Sequence, residues 1–109
     1  MYKYANKYFN KHQRDNIWRN INTVRDIEIK SNFCESHIES IKKLHPKDRI
    51  REDIIEAKMA LGEFEIALIR IDKFPNLFNL SEEEIFSFRE KYSNYEKELN
   101  NLDMQRISW

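Results

Sequence analysis

The sequence predicts an all-α protein, an elongated antiparallel three-helix bundle preceded by a short basic and aromatic segment. Three observations carry that prediction. Apolar residues recur at steps of three and four along most of the 109 residues, which is the period of one helix face. Only two prolines and one glycine interrupt them, and these residues are the usual punctuation between elements. No stretch alternates apolar and polar residues long enough for a strand; Ile27-Glu28-Ile29 does so only briefly. The length suits one helical domain over residues 1–109.

Pro46 and Pro75 divide the chain into three segments, and His45 and Phe74 are natural helix stops because the residue before a proline avoids the helical region. The first segment places Ile17, Ile21, Val24, Ile27, Cys34, Ile38, Ile41 and Leu44 on one helical stripe. Four helices result if this long helix breaks near Ser31. There Asn32 or Ser36 fits an N-cap, with Glu35 or Glu39 in the matching third position.

The middle segment is the most regular. Ile50, Ile54, Ala57, Leu61, Phe64, Leu68 and Ile71 alternate steps of four and three. A second apolar row, Ile55, Met59, Gly62, Ile66 and Ile69, is centred about 140° away at the helical pitch. Two apolar faces call for two neighbours, either the flanking helices or, for one row, a docked partner. Gly62 permits close approach of another helix, or else marks a corner. Ala60-Leu61-Gly62-Glu63-Phe64-Glu65-Ile66-Ala67-Leu68, followed by Phe74-Pro75-Asn76, resembles the inter-helix turn and second helix of a tetratricopeptide repeat. The two prolines lie 29 residues apart, against a repeat of about 34, and no second copy follows. Nothing is carried over from the resemblance.

The third segment opens on Ser81-Glu82-Glu83-Glu84, a capping box with acids at the positive end of the helix dipole. It continues as Ile85, Phe88, Tyr92, Tyr95, Leu99 and Leu102. A helix of about 28 residues is roughly 42 Å long, so the bundle is expected to be elongated. The sustained heptads also permit a coiled-coil homodimer.

Charge is split along the chain although the formal total is zero. Residues 1–51 carry twelve Lys and Arg against six Asp and Glu; residues 52–109 carry seven against thirteen. The halves therefore hold +6 and −6, either pairing with each other or offering a basic end to a partner. No apolar run approaches the roughly 18 residues of a membrane span, so no membrane is expected as a partner. Met1-Tyr2-Lys3-Tyr4 lacks the apolar core of a signal peptide, which makes a cytoplasmic location the expectation. One glycine excludes phosphate-cradling loops, and a single cysteine excludes an internal disulfide.

Catalytic chemistry has little to stand on. Cys34 and His37 share a helix face, but no second cysteine completes a structural zinc site, and Cys34 lies on the apolar stripe. No catalytic residue, metal or cofactor is expected, and the protein is read as non-enzymatic. Lys3, Lys7, Lys11 and Arg14 form one basic row if helical, interleaved with Tyr2, Tyr4, Tyr8, Phe9 and His12. Rings that stack bases beside cations that hold phosphates suit single-stranded nucleic acid. An acidic protein surface, or a helix whose lysines simply face water, fits the same row.

The connector Phe74-Pro75-Asn76-Leu77-Phe78-Asn79-Leu80 holds four large hydrophobes, which plug the bundle end or anchor a partner. Trp18 lies just off the core stripe, and Trp109 ends the sequence as an anchor of the kind that dominates interfaces. The expected function is protein–protein binding by an accessory, inhibitor or immunity-type factor. The alternative is a nucleic-acid-binding module using the basic, aromatic first segment. The residues expected to meet a partner are Tyr4, Lys7, Tyr8, Lys11, Arg14, Trp18, Phe78 and Trp109.

Overall fold

Long amphipathic stretches without breakers fold as helices here, and short polar punctuation divides them more often than the prolines alone suggest. The computed structural model describes residues 2–21 and 24–109, and among them it holds six α-helices and no strand. These are α1 (Lys3–Tyr8), α2 (Lys11–Asn20), α3 (Val24–Lys42), α4 (Arg51–Lys73), α5 (Pro75–Phe78) and α6 (Glu82–Ser108), with a 3-10 turn at Pro46–Asp48. The all-α class holds, but six helices stand where three were expected.

The first segment supplies two of the three extra helices, and the connector supplies the third, α5. Asn10 and Gln13 form a reciprocal capping box at 2.9 Å in each direction, which restarts the helix after Phe9. The basic row is therefore split between α1 and α2. Helix α2 ends at Asn20, and the Ile21 N–H closes onto the Trp18 carbonyl. The alternative of a break near Ser31 does not form: α3 is continuous, and the cap candidates Asn32 and Ser36 lie exposed in its interior. Ser31 is buried, and its Oγ meets the Tyr95 hydroxyl at 3.3 Å. That contact ties the middle of α3 to α6. Val24 opens α3, and its side chain lies outside the described set.

Helix α4 runs through the centre of the molecule. From Ala60 to Ile69 every residue but Glu63 is buried. Helix α3 lies antiparallel to it, tied by Lys30–Glu63 at 2.8 Å. Helix α6 is also antiparallel, tied by Lys58–Asp103 at one end and Asp72–Arg89 at the other. Where the three meet, Phe64 packs against Phe88, Tyr92 and Tyr95 with ring centroids 6.0 to 6.5 Å apart. The outline is elongated and flattened, 47 × 31 × 19 Å.

The second apolar row of α4 is covered from within. A Cβ built on Gly62 would lie 3.1 Å from the Phe9 ring and 3.2 Å from backbone atoms of Tyr4 and Ala5. Gly62 thus lets α1 seat its backbone on α4. It marks no corner, because α4 continues unbroken, so the turn implied by the repeat resemblance does not exist. Helix α1 takes the row at Gly62, Met59 lies beside Phe33 and His37 of α3, and the buried positions Gly62, Ile66 and Ile69 are closed to a partner.

Two stripe positions are corrected. Ile50 and Leu44 are exposed, because both fall in the connector beyond the helix ends, where a helical period no longer sets direction. Arg49, which the apolar pattern ignores, is buried instead. Its Nε donates to the carbonyls of Ile41 at 3.1 Å and Leu44 at 3.2 Å, and Nη1 donates to Gln105 Oε1 at 2.8 Å. One guanidinium so caps the end of α3 and fastens it to α6. At the other end Phe74 closes α4, Pro75 opens α5, and Asn79 turns the chain with a left-handed φ of 49° that asparagine tolerates. The Ser81–Glu84 capping box then starts α6.

Candidate functional site

A six-residue helix has no stability of its own, so α1 is held by tertiary contacts. Glu65 supplies the central one. Its carboxyl is buried on α4 and accepts the Tyr92 hydroxyl at 2.6 Å and the backbone N–H groups of Tyr4 and Ala5 at 3.4 Å each. Tyr2, at the N-cap, offers no side-chain cap, and Glu65 takes that place from another helix. The arrangement fixes where the basic side chains of the first segment project.

The expected contact residues do not form one surface. Tyr4 is buried, and burial together with the neighbouring Glu96 pushes its hydroxyl up to about 12. Phe78 is buried and plugs the end of the core. Neither ring is available to a ligand, which corrects both assignments. Trp109 is 73% exposed and rests edge-on against His45, at the far end of α4 from Phe78. Lys7 and Tyr8 lie at the end of α1 beside Arg51 and Lys58.

Lys11, Arg14 and Trp18 do come together. With Tyr2, Asp15 and Lys73 they line a hollow of about 300 Å³. Arg14 lies over the Tyr2 ring and also donates to the Phe9 carbonyl at 3.1 Å. Trp18 is half-buried, edge-on to Phe74, with the Arg70 and Lys73 cations over its face. Arg70 Nε is buried without a hydrogen-bond partner among the described residues, and the guanidinium lies over the Trp18 and Phe74 rings.

A larger hollow, of about 650 Å³, lies elsewhere, at the turn from α4 to α6. Ile71, Pro75, Ile85 and Phe86 give it an apolar floor, and Asp72, Glu82, Glu83 and Arg89 form its rim. Arg89 is paired with Asp72, and Glu82 and Glu83 have no ion-pair partner among the described residues. Phe86 is 61% exposed; Phe74 and Leu77, flanking Pro75 in the chain, are exposed as well. The apolar stripe of the third segment misses Phe86, since it follows Ile85 directly. A large apolar residue off the stripe is nevertheless a signal, and Phe33, Met104 and Ile107 obey it too by being exposed.

Cys34 is deeply buried and desolvation pushes its thiol up to about 12, so it is no nucleophile at neutral pH. His37 turns instead to the exposed Phe33, with ring centroids 4.7 Å apart. Among the described residues no group of three or more His, Cys, Asp or Glu is placed to hold a metal ion. No described helix is long and apolar enough to cross a membrane. Comparison with known proteins gives no matching family, no matching curated protein and no matching solved structure.

Proposed function

We propose that this protein works by binding another protein, and that the groove between the end of α4, α5 and the start of α6 is the contact site. The observation that carries the reading is the exposed Phe86 in an apolar floor, rimmed by the carboxylates of Glu82 and Glu83, which have no ion-pair partner among the described residues. Isolated surface hydrophobes need no explanation, but a contiguous apolar hollow with a charged rim is the usual form of a recognition site. The partner is a basic segment with a large apolar anchor, because only that chemistry answers both floor and rim. In an accessory or inhibitory role this surface would block or position the partner.

The test is affinity purification from the native host after nuclease treatment, with wild type and a Phe86→Ala, Leu77→Ala variant side by side. A protein partner held at high salt by wild type and weakened by about thirtyfold in the variant supports the reading, since a buried aromatic anchor contributes about 2 kcal/mol. Equal recovery by both forms contradicts it.

The nucleic-acid alternative draws support from the Lys11–Arg14–Trp18–Lys73 hollow, where two rings lie among three cations. If it holds, affinity for single-stranded nucleic acid falls steeply with salt, and Lys11→Gln with Lys73→Gln flattens the slope. Salt-independent or absent binding rejects it.

A further inference from the structure

A third hollow lies at the end of α1 away from Tyr2. It encloses about 190 Å³, and Lys7, Arg51, Lys58 and Arg106 surround it together with Asp103 and the Tyr8 ring. Ile54 and Ile55 complete the wall. Three helices distant in sequence thus bring four cations to one small space.

The only carboxylate among these lining residues is already engaged. Asp103 accepts Lys58 Nζ at 3.3 Å and Arg106 at 2.9 and 3.1 Å. Burial by itself would raise this carboxyl, but those two hydrogen-bonded cations outweigh it and hold the group below its ordinary value. Lys58 and Arg106 are mostly covered, with side-chain exposures of 15% and 24%. Lys7 and Arg51, by contrast, have no ion-pair partner among the described residues. Four positive charges face one negative in a chain whose formal total is zero. Like charges gathered around a partly enclosed space repel each other, and a bound anion reverses that cost.

We propose that this hollow binds a phosphate monoester. Arg51 presents a planar fork suited to two phosphate oxygens, and Lys7 adds a mobile point charge. Lys58 and Arg106, fixed by Asp103, form a wall that needs no reordering on binding. Tyr8, Ile54 and Ile55 offer the ester's organic body an apolar contact that bare phosphate cannot use. The site is independent of the groove at the far end of α4.

The experiment is an NMR titration of the isotope-labelled full chain with inorganic phosphate, a nucleoside monophosphate and a sugar phosphate. Saturable shifts confined to the lining residues, with an ester binding tighter than inorganic phosphate, are expected. Arg51 is exposed, so Arg51→Gln keeps the fold by circular dichroism and weakens the ester by about tenfold or more, the worth of one charged hydrogen bond. Lys97→Gln, on α6 outside the hollow, leaves binding unchanged. Shifts spread without saturation over surface lysines overturn the site, as does an Arg51→Gln variant that binds like wild type. An ester that binds no tighter than inorganic phosphate overturns the assignment to an ester.

Discussion

At the scale of single residues, Glu65 is the side chain on which the N-terminal helix depends. It satisfies two backbone donors of α1 and the Tyr92 hydroxyl from one buried position. Glu65→Ala leaves all three donors without that partner, and we expect a loss of about 3 kcal/mol in urea unfolding, the range for buried bonds to a charged group. Glu65→Gln keeps one acceptor oxygen and loses less. Arg49 makes the opposite bond, from a buried cation to two carbonyls at the end of α3. Arg49→Lys does not rescue it, because an ammonium lacks the fork that reaches two carbonyls and Gln105 together. Cys34 resists thiol reagents at neutral pH in the folded protein and reacts fully in denaturant; rapid labelling of the native form contradicts its placement in the core. Neither Glu65 nor Arg49 is legible as buried in the sequence, since each resembles the many charges that face water. Only the tertiary donors and acceptors that surround them explain their burial.

At the scale of elements, helix ends were more legible than helix neighbours. Pro46, Pro75 and the Ser81–Glu84 box mark real boundaries. Asn10 and Gln13 carried an equally local signal, but the basic row running past them suggested continuity. Asn32 and Ser36 misled in the other direction, because a polar residue inside a helix and one that caps it read alike in sequence. The close seat of α1 on Gly62 leads to a further expectation. Alanine gains about 1 kcal/mol over glycine in a helix interior, yet its Cβ would press on α1 backbone atoms at 3.2 Å. Those atoms are held by Glu65 and cannot retreat as a side-chain tip does. Gly62→Ala therefore fails to stabilise the protein in thermal unfolding, and Gly62→Leu displaces α1 altogether. A clear gain in melting temperature for Gly62→Ala contradicts the close seat.

Across the whole molecule, the charge split resolves partly into contacts between the halves, including Lys3–Glu96, Lys30–Glu63 and Lys42–Glu98. Such partly exposed pairs contribute little to stability, so added salt changes the unfolding midpoint only slightly. Alkali acts more strongly. Burial raises the hydroxyls of Tyr2, Tyr4, Tyr92 and Tyr95 above their ordinary value, with Glu65 adding to the effect at Tyr92. Their neutral forms are favoured only in the folded chain. The stability tied to them is complete below about pH 10, the unfolded value, and is lost as pH rises through about 12 at Tyr4. Phenolate absorbance from these rings and the loss of helical circular dichroism should therefore rise together; phenolates forming in an intact fold contradict the burial.

Fold class was legible because period and breaker content report helices directly. Which surface remains free was not, since it depends on α1 folding back over α4. The central claim is that α4 is one unbroken helix whose Gly62 face is covered by the chain's own N-terminal helix. Amide hydrogen exchange tests it most directly. Continuous protection from Ile54 to Ile71, with protected amides at Tyr4 and Ala5 that are lost in Glu65→Ala, is the predicted result; fast exchange around Gly62, or an unprotected α1 in the wild type, would contradict it.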